Sequence, residues 1–390
     1  MYISGGEKMK CPRCGNTDAI YFYQDQDVWY CRKCIAFGRV NVNESVPRKQ
    51  YQRIRHTCHP QLKYPLTPAQ KKASDTLRSN LALKQDSLVF ACCGAGKTEI
   101  VMEAIADYLG MGKKVGFAIS RRQVVLEIAE RMQEAFPSLC VIAVCEGYTD
   151  IVDGDLIICT MHQLYRYHQT FDLLIMDEVD AFPYRGNAIL KAIAMHACVG
   201  EKIYLTATPD DEMKKEVSAA KLNMVELFQR PHGYPLIVPK VKRGYAWMQM
   251  TYLLRFLQSQ RKAKIQTLVF VPTIRIAKRL SRFLSLKYAC CAFTSKTENK
   301  EKIIKEFHEG AYEFLVATTV LERGITIKGI YVVILFADHP VFNEASLIQM
   351  IGRVGRSIEM PTGKGLFLCK RKTKDITQCI ASLNKMNEDG

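Results

Sequence analysis

The apolar residues of this chain follow two alternating patterns. Short apolar runs predict buried strands. Longer stretches in which apolar residues recur every three or four positions, such as KTEIVMEAIADYL and RRQVVLEIAERMQEAF, predict helices. From Leu66 onward the two kinds of segment alternate in two successive series, which is typical of parallel sheets covered by helices. The predicted strands are SLVFAC, KVGFAI, DLIICT, FDLLIMD and KIYLTA in the first series, and TLVFVP, EFLVAT, GIYVVILFA and GLFLCK in the second.

Three segments lack this alternation and mark the predicted domain boundaries. Residues 1–45 carry two pairs of cysteines, residues 46–61 are rich in basic residues, and residues 233–245 combine proline, glycine and basic side chains. We therefore predict an α/β protein with two tandem parallel-sheet domains, at 62–232 and 246–390, behind a small N-terminal module and joined by linkers.

Composition indicates which class of molecule the protein binds and in which cellular compartment it acts. The 390 residues carry a formal net charge of +16, which favours binding to a polyanion such as nucleic acid. No apolar run approaches the roughly 18–20 residues of a membrane span, and the N-terminus lacks the apolar core of a signal peptide. We expect a cytoplasmic protein, at the inner face of the membrane through partners, whose 15 cysteines are reduced thiols or metal ligands.

The cysteine pairs at the N-terminus have the spacing of a zinc site. Cys11-x2-Cys14 and Cys31-x2-Cys34 are separated by sixteen residues, and two such turns can offer four thiolates to one tetrahedral ion. A closed shell of four ligands indicates a structural zinc ion, whose binding would help so small a module to fold. The alternatives are two redox pairs or unpaired thiols. A weaker metal candidate in the basic linker consists of His56, Cys58 and His59.

Aromatic residues lie between the two cysteine pairs. Such rings can stack on nucleic-acid bases, but we expect most of them to fill the small core of the cysteine module. They are Tyr21, Phe22, Tyr23, Trp29 and Tyr30.

The stretch ACCGAGKT, which begins at the end of the predicted strand SLVFAC and leads into a predicted helix, has the context of a phosphate-binding loop. Backbone N–H groups of such a loop cradle phosphates. Lys97 would reach the β- and γ-phosphates of ATP, and Thr98 would bind Mg²⁺. The residues predicted to bind the nucleotide in this loop are Gly94, Ala95, Gly96, Lys97 and Thr98.

A second element of nucleotide chemistry follows the strand FDLLIMD. Asp177 ends this strand and would hold Mg²⁺, either directly or through water. Glu178 would act as the general base that polarises the attacking water. Two adjacent acids delivered by an apolar strand downstream of a phosphate loop indicate ATP hydrolysis rather than an acidic surface turn.

These motifs and others, in this order along the chain, resemble those of superfamily 2 helicases and translocases. In that family the first loop residue is often alanine, which accounts for Ala91. The resemblance covers roughly residues 62–370 and implies two RecA-like lobes. The matching stretches are LTPAQ, ACCGAGKT, SRR, TMHQL, DEVD, TAT, FVPT, ATTVLERGIT and QMIGRVGR.

The same resemblance assigns roles to further residues. Gln70 of LTPAQ corresponds to the glutamine that reads adenine. Gln349, Arg353 and Arg356 of the last motif would reach the γ-phosphate from the second lobe, where arginines stabilise transition-state charge and sense whether the phosphate is present. Hydrolysis that closes and opens two lobes can move a strand.

The resemblance also implies residues that contact a nucleic-acid strand, mainly through its phosphates. In ATTVLERGIT, Thr319 and Thr326 stand where RNA-handling members often carry aspartate, which favours DNA over RNA. The implied strand contacts are Arg121, Arg122, Thr160, His162 and Arg323.

A narrower resemblance spans nearly the whole chain. The four-cysteine module ahead of helicase lobes, together with DEVDAFPY, TATP, FQRPHGYPLIVPK and SLIQMIGRVGRS, closely resembles the late competence family ComFA. This resemblance implies an ATPase that is stimulated by single-stranded DNA and drives the uptake of transforming DNA. The implied partners are ComFC, DprA and the membrane channel ComEC, with a homo-oligomer also compatible. The alternative is a zinc-containing superfamily 2 helicase of replication restart or repair that unwinds duplex DNA.

Overall fold

The computed structural model describes residues 9–322, 327 and 329–390. These residues form two compact units. The first contains the described residues up to Phe90 together with Lys97–Glu226, and the second contains Ala91–Gly96 and the described residues of Leu227–Gly390. No helix in the described part of the chain is long and apolar enough to cross a membrane.

Strands and helices alternate as the sequence pattern predicts. The described helices are α1 (Pro68–Ala82), α2 (Lys97–Ile100), α3 (Met102–Gly110), α4 (Arg122–Ala135), α5 (Ala188–Ala197), α6 (Asp211–Ser218), α7 (Ala246–Lys262), α8 (Ile274–Ser285), α9 (Lys300–His308), α10 (Glu344–Ile351) and α11 (Lys374–Glu388). The described strands are β1 (Phe22–Asp25), β2 (Val28–Cys31), β3 (Ser87–Ala91), β4 (Val115–Ile119), β5 (Val141–Val144), β6 (Leu156–Thr160), β7 (Phe171–Asp177), β8 (Cys198–Thr206), β9 (Asn223–Leu227), β10 (Lys240–Arg243), β11 (Thr267–Phe270), β12 (Cys290–Phe293), β13 (Phe314–Ala317), β14 (Tyr331–Leu335) and β15 (Gly365–Cys369).

The first large sheet has the strand order β5-β6-β4-β7-β8-β3-β9. The pairings from β5 to β3 are all parallel, and the central strands are buried because helices cover both faces. In register, Asp177 of β7 is opposite Leu205 of β8, and Phe90 of β3 is opposite Thr206. The carboxyl ends of β3, β7 and β8 therefore meet at one edge of the sheet, where ligands of open α/β sheets bind.

The second large sheet has the order β10-β15-β14-β11-β13-β12, and its described pairings are all parallel. The predicted α/β fold with two parallel-sheet RecA-like domains is thus confirmed. Strand β10 lies within the segment 233–245, which the sequence pattern predicts as a linker. Its side chains are mostly exposed, because it forms an edge of the sheet, and this explains the lack of an apolar run.

The N-terminal module is built on the antiparallel hairpin of β1 and β2. Phe22 pairs with Cys31 on the inner face, and Tyr23 pairs with Tyr30 on the opposite face. Phe22 is buried with the cysteines, whereas Tyr21 and Tyr23 are exposed. These two tyrosines therefore do not fill the core: strand alternation turns Tyr23 to solvent, and Tyr21 lies in the helical turn before the strand.

The basic segment after the module, residues 46–61, forms hydrogen bonds with the rest of the first unit. The Tyr51 hydroxyl donates to the Arg166 carbonyl at 3.0 Å, and the backbone N–H of Gln52 donates to Asp153 at 2.8 Å. The ammonium of Lys114 donates to the Gln52 carbonyl at 2.9 Å. The segment is therefore held as a strap against the surface of the unit.

Candidate functional site

The four N-terminal cysteines converge on one point. The sulfur atoms of Cys11 and Cys34 are 3.7 Å apart, those of Cys14 and Cys31 are 3.8 Å apart, and all four lie within 4.8 Å of one another. Four thiolates about 2.3 Å from a tetrahedral zinc ion have sulfur atoms about 3.8 Å apart. The cluster thus fits zinc in both donor type and spacing.

The surroundings of the cluster indicate a closed site. The sulfur atoms are so close that hydrogen bonds among them lower the pKa of Cys11 and raise the pKa values of Cys14 and Cys34. Cys11, Cys31 and Cys34 are buried together with Phe22 and other apolar side chains. In the described part of the chain, this is the one group of three or more His, Cys, Asp or Glu residues arranged to hold a metal. His56, in the weaker candidate cluster, instead contacts the Asp155 carboxylate at 2.8 Å.

The phosphate-loop motif lies where the sequence predicts it, between β3 and α2. Gly94 and Gly96 have φ angles of +83° and +89°, which only glycine adopts without strain. Lys97 and Thr98 begin α2, and α3 continues the helical run, since the Val101 carbonyl accepts from the Ile105 N–H at 3.0 Å. This strand–loop–helix arrangement directs backbone N–H groups toward a bound phosphate.

The two acids after β7 have distinct environments. Asp177 is buried, and burial raises its pKa to about 6, while Lys97 lowers it and Glu178 raises it further. The backbone N–H of Glu178 donates to the Asp177 carboxylate at 2.7 Å. Lys97 and Asp177 are thus close enough to interact, as a shared magnesium–phosphate site requires.

Glu178 carries two signs of a functional position. Its φ angle of +53° is unusual for a residue with a side chain, and such strain is concentrated at active sites. Its Oε2 atom is buried and has no hydrogen-bond partner within the described residues. A buried carboxylate oxygen without a partner is fitted to accept a proton or a water molecule that arrives with the substrate.

Asp180 is a site residue whose role the sequence motifs do not reveal. This buried carboxylate accepts a hydrogen bond from the Thr206 hydroxyl at 2.8 Å and another from the Thr208 hydroxyl. It therefore ties the acidic motif after β7 to the TAT stretch that ends β8. The spacing of DEVD and TAT in the sequence does not reveal this pairing, because the two stretches are adjacent only in the sheet.

In the second compact unit, the first part of the phosphate loop packs on the end of α10. The Cys93 thiol donates to the Gln349 side-chain oxygen at 3.2 Å. A Cβ atom on Gly352 would lie 2.7 Å from the Cβ of Cys93, so the close approach requires glycine there. Cys93 thus serves as a buried packing residue rather than a metal ligand.

The two arginines of QMIGRVGR follow α10 in a turn. Arg353 is buried, and Arg356 donates from Nε to the Gly352 carbonyl at 2.9 Å. A Cβ atom built on Gly94 would be 3.7 Å from Cγ of Arg356. Gln349 and Arg356 therefore both lie beside loop residues 93–94.

Some of the residues implied to contact a nucleic-acid strand in the first unit already contact other protein groups. Arg122 donates to the Glu146 carbonyl at 2.8 Å and lies over the ring of Tyr148. The ring of His162 stacks on Phe37 of the N-terminal module, and burial lowers the pKa of His162.

The other predicted contacts lie at the ends of elements or outside the described residues. Arg121 is the residue before α4, and Thr160 ends β6. Arg323 and Thr326 lie outside the described residues. Gln70, the predicted adenine reader, is buried in the first turn of α1, where its side-chain oxygen accepts from the Thr67 N–H at 3.0 Å.

Comparison with a solved structure supports the fold. The chain resembles S. cerevisiae Dbp5 bound to RNA and ADP BeF3 with a TM-score of 0.57 at 17% identity. This match covers 83% of the chain and 92% of Dbp5, and at this identity it bears on the fold alone.

Three sequence families match successive parts of the chain. Residues 2–46 match the competence protein ComFA N-terminal domain, and residues 63–211 match the type III restriction enzyme res subunit. Residues 248–357 match the helicase conserved C-terminal domain. The helicase domains support an ATP-hydrolysing, helicase-like enzyme.

Two relatives align with almost the whole chain. Competence protein ComFA of Streptococcus pneumoniae is 33% identical over 98% of this chain and 91% of the relative. Competence protein ComFA of Bacillus subtilis is 30% identical over 98% of this chain and 86% of the relative. Together with the match of the N-terminal domain, these similarities confirm the predicted resemblance, and the chain belongs to the ComFA family of competence proteins.

Proposed function

We propose that this protein hydrolyses ATP to move along single-stranded DNA and so drives the uptake of transforming DNA into the cytoplasm during natural competence. The observation that carries the proposal is the buried Asp177 beside Lys97, followed by Glu178, whose buried Oε2 atom has no partner among the described residues. Such a site has the charge and the free acceptor that phosphoryl transfer to water needs.

Each residue of the site has a separate role in the proposed hydrolysis. Loop residues 94–98 bind the phosphates, and Thr98 and Asp177 would hold Mg²⁺, which when bound neutralises charge on the β- and γ-phosphates. Glu178 accepts a proton from the attacking water, whose oxygen bonds to the γ-phosphorus as the bond to the β–γ bridging oxygen breaks.

Residues of the last motif complete the proposed chemistry. Arg353 and Arg356 stabilise the charge that develops on the transferred phosphoryl group, and Gln349 orients the loop through Cys93. Gln70 contacts the adenine base. Two RecA-like lobes, at 62–232 and 246–390, carry these groups.

The four-cysteine cluster holds a structural zinc ion in this proposal. The sulfur spacing supports zinc, and a closed all-cysteine shell leaves no position for a substrate. The ion would stabilise the N-terminal module, including the face that packs against His162.

Single-stranded DNA is the proposed nucleic acid. The net charge of +16 supports a grip on phosphates, for which Arg121, Arg122, Thr160, His162 and Arg323 are the candidates. Family membership supports a place in competence, with ComFC, DprA and the ComEC channel as the proposed partners.

The test is ATP turnover with and without single-stranded DNA, in the wild type and in Glu178→Gln. DNA should stimulate the wild type, and Glu178→Gln should lose turnover while it still binds ATP, because the amide cannot accept the proton. A wild type that DNA does not stimulate would contradict the proposed translocase. Displacement of a strand from a forked duplex would instead indicate a repair-type helicase.

A further inference from the structure

Arg230 is among the largest fully buried side chains of the described residues, at 2% exposure. Its guanidinium donates four hydrogen bonds to backbone carbonyls. Nε donates to Cys93 at 2.9 Å, and Nη2 donates to Gly352 at 2.9 Å. Nη1 donates to Val354 at 2.8 Å and to Gly355 at 2.7 Å.

The environment of this arginine is unusual for a buried cation. Buried charges are ordinarily paired with an opposite charge, yet no carboxylate among the described residues forms an ion pair with Arg230. Burial lowers the pKa of Arg230, and the nearby Arg356 lowers it further. The planar fork of donors instead matches a fixed set of carbonyls, which a lysine cannot satisfy at once.

The carbonyls belong to two segments that are distant in sequence. One segment is the phosphate loop, which supplies the carbonyl of Cys93. The other is the turn after α10, whose accepting carbonyls lie on both sides of Arg353 and directly before Arg356. Each segment is closely packed at this point. A Cβ atom on Gly355 would lie 2.5 Å from the Pro361 carbonyl and 3.2 Å from Nη1 of Arg230.

A second side chain reinforces the same turn. His232 contacts the Gly355 carbonyl through Nε2 at 2.9 Å, two residues beyond Arg230. The stretch Arg230–His232 therefore holds the backbone around Gly355 with two side chains. The turn that carries Arg353 and Arg356 is thus fixed to the same anchor as the carbonyl of Cys93.

We propose that Arg230 is a positioning residue for ATP hydrolysis. It fixes the turn that carries Arg353 and Arg356 at a set distance from Cys93 and Gly94, so that these arginines are preorganised for the transferred phosphoryl group. The inference rests on the proposed ATP hydrolysis at this site. Arg230 acts through the two arginines and does not contact the nucleotide.

The test compares Arg230→Met, which keeps the unbranched stem but removes all donors, with Arg230→Lys, which keeps the charge. Arg230→Met should lower kcat by about 10²-fold, because displacement of a catalytic group by about 1 Å has an effect of that size. Arg230→Lys should fall between Arg230→Met and the wild type. The KM for ATP should change little in both variants, because the phosphate-binding groups remain.

A double-mutant cycle separates positioning from a general loss of stability. Arg356→Ala should lower kcat by about 10³-fold, as for other arginines that stabilise phosphoryl transfer. If Arg230 acts through Arg353 and Arg356, the two losses should not multiply. Arg230→Lys should therefore slow the Arg356→Ala variant by a smaller factor than it slows the wild type. Lys114→Met removes another buried cation with carbonyl acceptors, and it should lower thermal stability without changing kcat.

Each outcome decides one question. Unchanged kcat in a folded Arg230→Lys, or losses that multiply in the double variant, would overturn the positioning role. A wild type without ATP turnover would overturn the proposed function itself. Should Arg230→Met fail to fold, the cycle with Arg230→Lys gives the answer.

Discussion

The ring of Phe37, in the N-terminal module, lies nearly parallel to the ring of His162, with centroids 6.2 Å apart and planes at 25°. Phe37 also contacts Tyr165, with ring centroids 5.6 Å apart. The short helix Met161–Arg166, which contains an implied strand contact, thus packs directly on the cysteine module. Order in the module and order in this helix should be linked.

Phe37→Ala should weaken binding of single-stranded DNA by about fivefold, or about 1 kcal/mol. The reason is that the helix containing His162 loses its packing partner. The readout is fluorescence anisotropy of a labelled oligonucleotide, with zinc content measured in parallel. Ile35→Ala is the matched control, because Ile35 lies in the same helical turn as Phe37, Ile35–Phe37, but is exposed. Equal affinity in both variants would show that this contact does not support strand binding.

Cys31→Ser should release one zinc ion per chain and unfold the N-terminal module, because three thiolates bind zinc less firmly than a closed set of four. Metal analysis and a thermal melt measure the two effects. Cys58→Ser is the control, since this thiol lies outside the cluster and should leave the zinc content intact. Native protein that contains no zinc would contradict the assignment.

Thr206→Val should uncouple ATP binding from DNA-stimulated turnover. The change keeps the shape of the side chain but removes the hydrogen bond to Asp180, which costs about 1–3 kcal/mol for a buried acceptor. We expect unchanged ATP affinity and a lower kcat in the presence of DNA. Thr76→Val, on an exposed helix surface, is the control, and equal stimulation of both variants would argue against a coupling role.

Lys114→Met should loosen the strap formed by residues 46–61. The Lys114 ammonium donates to Asp153 at 2.6 Å and to the carbonyls of Gln52 and Gly154. Its loss should cost less than the roughly 3–5 kcal/mol of a fully buried pair, because Asp153 keeps contact with water. Limited proteolysis of the strap should accelerate. Lys113→Met, which removes a neighbouring ammonium that lies over the ring of Tyr108 instead, should be cleaved at the wild-type rate.

The same ion pair predicts a dependence on pH. Burial by itself raises the pKa of Asp153, but the hydrogen bond and charge of Lys114, together with backbone hydrogen bonds from Gln52 and Gly154, hold the pKa below the ordinary value of 3.8. A carboxyl with a lowered pKa in the folded state stabilises the fold above its unfolded pKa and loses that effect as pH falls. The stability difference between wild type and Lys114→Met should therefore shrink below about pH 3.8. A constant difference down to pH 2.5 would argue that Asp153 is not the relevant partner.

The sequence predicts the sheets and the local motifs well because each depends on neighbouring residues. The strands around Leu88 and Ile175 are continuous apolar runs, and the phosphate loop is defined by glycines a few residues apart. The edge strands β5, β10 and β12 have only four residues each and are partly exposed, so they leave no clear apolar pattern.

Contacts between distant segments could not be predicted in the same way. Arg230 binds carbonyls of Cys93 and Gly355, and backbone carbonyls carry no residue-specific signal in a sequence. The pairing of Phe37 with His162 likewise depends on how the module docks. A basic or aromatic residue in a sequence shows what it can bind but not which segment it will meet.

The hydrogen bonds of Tyr51, Gln52 and His56 fix the segment that follows the N-terminal module, so this segment is not a flexible linker. The orientation of the module against the first sheet is set when the chain folds. A fluorophore or a surface anchor attached near Tyr21 should therefore follow the whole seven-stranded unit as one body. The module thus offers a fixed attachment point for following the motion of this unit.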